Sequence, residues 1–554
     1  MRAWPASPDA RRGCRATLGS LLFAGIATVC ALWCGHGPAR ADVLPSIDEL
    51  FARERLASGA ERRPATERET WDIRRDGLGG TLVTIHRGSD SISAMTLGPF
   101  HSARGSDRGQ RWHQNDNGET VFERPDPSGN ERIVARSVTR VREPVDAWLV
   151  SQAYAGGHVV RTYFDPRSYL IVRVDKSLAG RTSHTSYDDF RTDARGRTRA
   201  WHEFGGDDRP QTTFDYRLAH DELAPALAPG TFTIPGDRRS LVEFPAGSRT
   251  VRLPARIENG RIYVRLTIAG RGLDFLLDSG AAAMSIDGAL ARRLGLPAYG
   301  RTMETVAGSF AASRVIVPQV GIGPLAMHDV VMRTIPISMR EGTKTRVVGL
   351  LGFDFLDAVA LRIDYAGGSV DVARPGSGAA PAGAVPLDVR LGSQIPLTRV
   401  TVGEATGNDF IVDTGAEFSL VLFQRFTHAH PELATPLGRG VRSGAGIGGT
   451  MAYRDLVPQR LTLGPVLFEA LPTVEALSPY ALGFDDADGL VGSDVLRRFT
   501  VYLDYASNRG WLAYPRAPLT SVGIPARMTE PKQGRDRTLT GRLRAIRSHD
   551  KDRR

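Results

Sequence analysis

The run NDFIVDTGAEFSL at residues 408–420 places an aspartate, Asp413, directly after three apolar residues. A second run, LDFLLDSGAAAMSI at residues 273–286, does the same with Asp278. Each apolar run predicts a buried strand, yet a lone buried carboxylate loses its hydration without compensation. We therefore expect each of these two aspartates to be the partner of the other.

A second shared pattern follows each aspartate. GLLGFDFLDAVALRIDYAGGSVDV at residues 349–372 aligns with GLVGSDVLRRFTVYLDYASNRGWL at residues 489–512, at an offset of 140 residues. The two aspartates are separated by 135 residues, so both patterns recur in the same order at nearly the same spacing. This recurrence predicts a duplicated β-rich domain, whereas chance matches of a short motif would not keep order and spacing together.

The first residues of the chain have the pattern of a secretory signal. Arginines at positions 11, 12 and 15 precede an apolar stretch, and Ala39-Arg40-Ala41 fits a cleavage site. We predict a periplasmic or secreted protein that begins at Asp42; an uncleaved membrane anchor is the alternative. All three cysteines lie in this segment, so the mature chain is expected to contain no disulfide and no thiol nucleophile.

The segment before the duplicated domain has a different pattern. Ser46 and Glu49 have the spacing of a capping box at the start of a helix. Strand-like runs separated by polar turns follow, and they predict a curved antiparallel sheet or half-barrel. In this order of helix and strands the segment resembles the lipoprotein-carrier-like domains of bacterial envelopes. We predict no catalytic residue in it.

These patterns divide the chain into six parts. They are a signal peptide at 1–41, an N-terminal antiparallel β domain at 42–245, copy 1 at 249–373, a linker at 374–386, copy 2 at 387–515 and a disordered basic tail at 516–554.

The net charge of +10 arises at the two ends of the chain. Residues 1–41 contain five Lys or Arg and one Asp, and residues 527–554 contain ten basic and four acidic residues. The rest has 56 residues of each sign, so its composition does not indicate nucleic-acid binding. We expect the basic tail to be solvated and to touch a membrane or cell wall at most transiently.

Two aspartates that meet at a pseudo-twofold axis can perform acid–base chemistry. At close range both cannot ionise, so the pair shares one proton over a wide pH range. One carboxyl can then activate a water while the other polarises the carbonyl of a peptide bond. We predict that the residues after each aspartate hold the carboxylates in plane, namely Ser279, Gly280, Thr414 and Gly415.

The two motifs resemble those of aspartic peptidases, in particular the retropepsin-like branch. FLLDSGA and FIVDTGA are similar to the family's signature, and the apolar pairs before Gly352 and Gly492 are similar to its second element. The resemblance covers residues 249–515. It implies a mainly β fold in which a tandem pair of acid-protease domains forms a bilobal unit after a half-barrel domain. It also implies an endopeptidase with the catalytic residues Asp278 and Asp413, a peptide or protein substrate, and no metal or organic cofactor.

The family covers its cleft with flap hairpins, which we predict at residues 306–317 and 444–457. Neither segment has the flap tyrosine expected of pepsin; Tyr453 lies near that place, and the sequence does not fix its position. The G-x-G-x-x-G pattern at 444–449 fits a flap tip better than a dinucleotide loop, because a strand-like run follows it.

Two alternatives remain open at this stage. One is a non-catalytic envelope protein that binds peptide or lipid on a degenerate protease fold. The other is an enzyme in which each copy pairs with its twin in a second molecule. We favour a monomer in which the two copies pair within one chain, because a flexible linker joins them.

Overall fold

A computed structural model describes residues 44–122, 132–178, 181–207, 212–233, 240–337, 346–377, 380–392, 394–477 and 487–514. The predicted signal peptide and basic tail lie outside the described residues. Among the residues it describes, no helix is both long and apolar enough to cross a membrane.

The described chain begins with the helix α1, Ile47–Ser58. Its first turn is capped by Ser46, whose Oγ accepts a hydrogen bond from the backbone N–H of Glu49 at 3.1 Å. The helix ends at Gly59, whose φ of 61° turns the chain. The N–H of Gly59 then donates to the carbonyls of Arg55 and Leu56. Leu50 anchors the helix by packing against Trp148 and Phe164 of the following sheet.

The N-terminal domain is one antiparallel sheet of 13 strands, in the order β6-β5-β4-β3-β2-β1-β13-β12-β11-β10-β9-β8-β7. A cluster around Trp71, Leu97 and Tyr216 is buried on this sheet. The strands are β1 Thr66–Arg75, β2 Leu78–Arg87, β3 Asp90–Leu97, β4 Phe100–Asp107, β5 Gln110–Gln114, β6 Thr120–Phe122, β7 Ile133–Val141, β8 Ala147–Tyr154, β9 Val159–Phe164, β10 Ile171–Leu178, β11 Arg181–Thr192, β12 Thr198–Gly206 and β13 Phe214–Leu223.

Copy 1 contains the elements β14 to β24. They are β14 Thr250–Arg252, β15 Ala255–Glu258, β16 Arg261–Ile268, β17 Arg271–Leu277, β18 Ser285–Asp287, α2 Gly288–Arg293, β19 Ala298–Thr305, β20 Ser309–Ile322, β21 Leu325–Ile335, β22 Val347–Leu351, α3 Phe353–Asp357, β23 Ala360–Asp364 and β24 Ser369–Ala373.

Copy 2 contains the elements β25 to β35. They are β25 Val385–Leu387, β26 Val389–Gly392, β27 Ile395–Val402, β28 Ala405–Val412, β29 Leu420–Leu422, α4 Gln424–Ala429, β30 Pro436–Gly446, β31 Gly449–Leu463, β32 Val466–Ala476, β33 Gly489–Val491, α5 Ser493–Leu496, β34 Thr500–Asp504 and β35 Arg509–Ala513. Short 3-10 helices lie at Ala60–Arg62, Pro431–Leu433 and Tyr505–Ser507.

The two copies have the same arrangement of strands. Copy 1 forms an eight-stranded sheet in the order β15-β16-β17-β22-β18-β21-β20-β19, and copy 2 forms one in the order β26-β27-β28-β33-β29-β32-β31-β30. In each sheet a parallel pair lies at the centre, β17 with β22 and β28 with β33. All five residues of β22 are buried, as expected of a strand covered on both faces.

Strands of both copies form one shared sheet, with six strands in the order β14-β24-β23-β34-β35-β25. Its central pair is β23 of copy 1 with β34 of copy 2, antiparallel, with Ile363 opposite Val501. Buried side chains of both copies form one continuous core that includes side chains of this sheet. The mainly β, bilobal fold predicted from the sequence is confirmed.

Two predicted boundaries differ from the structure. Val385 and Pro386, which we assigned to the linker, lie in β25 because their strand pairs with β35. Residues 240–245, which we assigned to the N-terminal domain, pack on copy 1. Leu241 and Val242 are buried in its core, and the N–H of Glu243 donates to the carbonyl of Ala326 at 2.8 Å.

The shared sheet predicts that the two copies unfold together. Ile363 is fully buried at the junction of the copies, so Ile363→Ala should lower the free energy of unfolding by about 2–5 kcal/mol. Urea unfolding followed by circular dichroism should show a single transition at lower urea. The matched control Leu467→Ala, at a side chain 44% exposed, should change stability by roughly 0.5 kcal/mol or less. Separate transitions for the two copies would contradict this account.

Candidate active site

Each aspartate emerges at the end of a central strand. Asp278 follows β17, and its N–H donates to the carbonyl of Leu351 at the end of β22 at 3.1 Å. Asp413 follows β28, and its N–H donates to the carbonyl of Val491 at the end of β33 at 3.0 Å. The apolar pairs before Gly352 and Gly492 therefore form the ends of the strands that support the two aspartates.

The hydroxyls of Ser279 and Thr414 connect the two copies. Ser279 Oγ donates to the carbonyl of Val412 at 2.7 Å and accepts from the N–H of Thr414 at 2.9 Å. Thr414 Oγ1 donates to the carbonyl of Leu277 at 3.1 Å and accepts from the N–H of Ser279 at 3.0 Å. Both side chains are buried, so these four bonds are shielded from water. The hydroxyls thus bind the backbone of the opposite copy, and not the carboxylates as we had expected.

The two glycines hold the carboxylates and also make room for them. The N–H of Gly280 donates to Asp278 Oδ1 at 2.9 Å, and the N–H of Gly415 donates to Asp413 Oδ1 at 2.8 Å. A Cβ on Gly280 would lie 2.6 Å from Asp413 Oδ2, and a Cβ on Gly415 would lie 2.6 Å from Asp278 Cγ. Each glycine therefore packs against the aspartate of the other copy, which brings the two carboxyl groups together.

The electrostatic environments of the two aspartates differ. Burial raises the pKa of Asp278 well above its ordinary value of 3.8, and the negative charge of Asp413 raises it further. Burial also raises the pKa of Asp413, but the N–H groups of Gly415 and Ala416 and a hydrogen bond from Asp278 oppose that rise. The pair therefore retains one shared proton above pH 3.8.

Two tyrosines lie close to Asp278 and Asp413, the pair that we call the dyad, and the sequence does not predict them as site residues. Tyr365 and Tyr505 follow β23 and β34, the central pair of the shared sheet. Burial raises the pKa of Tyr505 strongly, as do the negative charges of Asp278 and Asp413. Burial and Asp413 likewise raise the pKa of Tyr365. The Asp-Tyr pair recurs in the sequence at 364–365 and 504–505, and this repeat indicates the duplication but no role for the tyrosines.

Hairpins occupy both predicted flap positions, and their tips touch. The copy-1 hairpin consists of β19 and β20, and the copy-2 hairpin consists of β30 and β31. The N–H of Ala307 donates to the carbonyl of Ile447 at 3.0 Å. A Cβ on Gly308 would lie 2.3 Å from the carbonyl oxygen of Gly448, so the close approach of the tips requires glycine. A strand and not a helix follows the G-x-G-x-x-G pattern, as expected of a hairpin.

Tyr453 lies on the inner side of the copy-2 hairpin. Its side chain is 8% exposed, its ring lies 4.9 Å from that of Phe418, and its hydroxyl is 3.5 Å from Met451 Sδ. Burial and the charge of Asp413 raise the pKa of Tyr453 to about 12. The sequence did not place this residue, because its position depends on the register of the hairpin.

The described residues contain no group of three or more His, Cys, Asp or Glu side chains arranged to hold a metal ion.

Comparison with known proteins identifies one matching family. Residues 264–355, most of copy 1, match the family model described as aspartyl protease. No curated protein sequence matches the chain.

Several solved structures are similar to parts of the chain. An aspartic proteinase from Irpex lacteus is 14% identical, with a TM-score of 0.31, and covers 48% of this chain and 98% of its own. Basic 7S globulin from soybean is 12% identical, with a TM-score of 0.30, and covers 48% of this chain and 96% of its own. A putative outer membrane lipoprotein-sorting protein domain from Vibrio parahaemolyticus is 7% identical, with a TM-score of 0.25, and covers 33% of this chain and 95% of its own.

The raised pKa of Asp278 predicts how stability depends on pH. Because the folded pKa lies above the unfolded one, this group stabilises the fold fully below pH 3.8, and the contribution is lost as pH rises through the folded pKa. Asp278→Asn removes the ionisation, so its urea midpoint should exceed that of the wild type at pH 8 but not at pH 4.

The control for this prediction is Asp494→Asn. Asp494 is a surface aspartate that pairs with Arg497 at 2.8 Å, and its substitution should give no such pH-dependent gain. If the difference in urea midpoint between wild type and Asp278→Asn stayed constant from pH 4 to pH 8, the close packing of the two carboxyl groups would be contradicted.

Proposed function

We propose that this protein is an exported aspartic-type endopeptidase. The observation that carries the proposal is the pair of aspartates, one from each copy, each packed against the glycine of the other. The shared proton and the match of copy 1 to the aspartyl protease family support the same conclusion. Asp278 and Asp413 are the catalytic residues; Ser279, Gly280, Thr414 and Gly415 support them.

The shared proton gives the two carboxyl groups complementary roles, and we propose Asp413 as the base and Asp278 as the acid. Asp413, as the ionised partner, accepts a proton from a water whose oxygen attacks the carbonyl carbon of the peptide. Asp278, as the protonated partner, gives its proton to the carbonyl oxygen, which forms a gem-diol. When the C–N bond breaks, Asp413 returns the proton to the amine nitrogen and Asp278 recovers its own from a gem-diol hydroxyl. No covalent intermediate is formed.

The substrate we propose is an extended segment of peptide or protein that lies between the dyad and the two hairpins. The tips of the hairpins are in contact through Ala307 and Ile447, so the substrate enters when they separate. Closed hairpins exclude bulk water, which strengthens the electrostatic interactions at the dyad. Tyr453 and Phe418 supply an aromatic wall on the copy-2 side of this space.

We further propose that the enzyme acts in the periplasm or outside the cell after removal of the signal peptide, as a monomer with the two copies paired within one chain. The basic tail adds at most a transient contact with anionic lipid or cell wall. The reaction needs no metal or organic cofactor, because the two carboxyl groups supply both the base and the acid.

The test is hydrolysis of a diverse peptide mixture, with and without pepstatin, over a range of pH. Asp278→Asn and Asp413→Asn should each reduce kcat by a factor on the order of 10⁴ or more and leave the fold intact, because asparagine cannot share the proton. The pH profile should be bell-shaped. Its acid limb reports ionisation of the dyad, and its alkaline limb should lie well above pH 3.8, because the pKa of Asp278 is raised.

The control Asp494→Asn should keep wild-type kcat. If either dyad variant kept near-normal turnover, the two-aspartate mechanism would be wrong. If the wild type bound peptides and cut none of them, the chain would instead be the non-catalytic binding protein.

A further inference from the structure

The copy-1 hairpin is held at its base by the N-terminal domain. Arg314 on β20 binds Asp116 with Nη1 at 2.9 Å from Oδ2, and its Nη2 lies 3.7 Å from Asp76 Oδ2. Its guanidinium also lies over the ring of Phe100, 4.1 Å from the ring centroid. The Arg314 side chain is only 18% exposed, so these interactions are partly shielded from solvent. We call Asp76, Asp116 and Arg314 the clasp.

The other strand of the same hairpin is held as well. The N–H of Arg301 on β19 donates to the carbonyl of Asp76 at 2.7 Å. Gly300 has a φ of 67°, and a Cβ there would lie 2.7 Å from that carbonyl oxygen. The ring of Tyr299 packs edge-on against Phe100 at 5.7 Å between centroids. Both strands of the hairpin are therefore bound to the N-terminal domain.

A second contact reaches the loop that carries the dyad. Asn115 Nδ2 donates to Asp354 Oδ1 at 2.8 Å, and Asp354 Oδ2 accepts from the N–H of Met284 at 2.6 Å. Met284 is the last residue of the loop that begins at Asp278 and leads to β18. Asn117 binds both the N–H and the carbonyl of Val331, at 2.7 and 3.1 Å. The N-terminal domain thus completes the hydrogen bonding of a buried carboxylate in copy 1.

Copy 2 shows how an unclasped hairpin is built. Ile322 faces Leu325 at the end of the copy-1 strand pair and Leu463 faces Val466 in copy 2, an offset of 141, so the residue equivalent to Arg314 is Asp455 on β31. Asp455 pairs with Arg442 on β30 at 2.6 Å, and its neighbour Arg454 pairs with Glu475 on β32 at 3.3 Å, so both partners belong to copy 2. Arg314 instead lies opposite Arg333, a like charge, which is unfavourable across a strand pair. Copy 1 therefore obtains the counter-charge for Arg314 from the N-terminal domain.

The equivalent of Asp354 follows the same rule. Asp494 of copy 2 pairs with Arg497 on its own short helix at 2.8 Å, and 34% of its side chain is exposed. Asp354 is buried and receives its hydrogen bonds from Asn115 and Met284. In both pairs of equivalent residues copy 2 supplies the partner itself, and copy 1 relies on the N-terminal domain.

We propose that the N-terminal domain positions the copy-1 hairpin over the dyad, with the clasp residues acting as positioning residues. The catalytic part of this inference rests on the proposed function. The copy-1 hairpin then stays in place while the copy-2 hairpin lifts to admit substrate, since the described residues show no hydrogen bond or ion pair between that hairpin and the N-terminal domain. The N-terminal domain is in this view a structural part of the peptidase unit.

The test compares Arg314→Ala with Arg454→Ala, which removes an arginine whose ion pair lies within copy 2, in the full mature chain. Hydrogen exchange measured by mass spectrometry should show amides of residues 298–322 exchanging about tenfold faster in Arg314→Ala, since a charged hydrogen bond is lost. Residues 436–463 should be unchanged in that variant. Arg454→Ala should show the reverse pattern. Arg314→Lys, which keeps the charge, should restore part of the protection.

Kinetics provide a second readout. Arg314→Ala should raise KM for a peptide substrate several-fold more than it lowers kcat, because the hairpin binds substrate and does not touch the reacting atoms. If Arg314→Ala fails to fold, Asp116→Asn removes one charge of the clasp and keeps its shape, and the same exchange pattern is expected.

Unchanged exchange in residues 298–322 of a folded Arg314→Ala or Asp116→Asn variant would overturn the clasp. Exchange does not depend on turnover, so this failure is distinguishable from failure of the proposed function. A chain with the expected exchange pattern that cuts no peptide would retain the clasp and lose only its catalytic role.

Discussion

Repulsion between two closely packed carboxylates, the half-buried Asp278 and the buried Asp413, is the constraint on which the rest of the structure depends. Bringing them together costs free energy unless one retains a proton. The fold therefore has to hold both groups where neither can swing out to water. Gly280 and Gly415 allow the approach and donate to the carboxylates. The parallel strand pairs position both aspartates, since the N–H of each one donates to the last carbonyl of the neighbouring parallel strand.

The reciprocal bonds of Ser279 and Thr414 turn two separate loops into one unit. Each hydroxyl binds the backbone just before the aspartate of the opposite copy, so a shift of one loop moves the other. The six-stranded sheet below adds a continuous backbone connection between the copies. The hydrogen bonds of Ser279 and Thr414 and the shared six-stranded sheet together hold the two copies in one orientation. The two carboxyl groups must keep this fixed orientation to share a proton.

The sequence was sufficient to predict the part of the site that depends on local pattern. Asp278 and Asp413, with their glycines, were found because apolar strands and short motifs recur at nearly constant spacing. The partners of Ser279 and Thr414 were predicted wrongly, because a hydroxyl after an aspartate can bind either a carboxylate or the backbone. Contacts such as that between Asp116 and Arg314, 198 residues apart, leave no periodic signal in one sequence. Residues 240–245 were misassigned for the same reason, since only their packing shows which domain they join.

The most direct measurement of the central claim, that one chain builds one site from both copies, is to mix the Asp278→Asn and Asp413→Asn chains. Within a single chain the linker holds the second copy at an effective concentration in roughly the millimolar range. A second molecule would have to be present at a higher concentration to compete for the pairing. The account predicts that the mixture stays inactive, because every site then carries one asparagine. Recovery of peptide hydrolysis on mixing would show that like copies pair between chains and would contradict it.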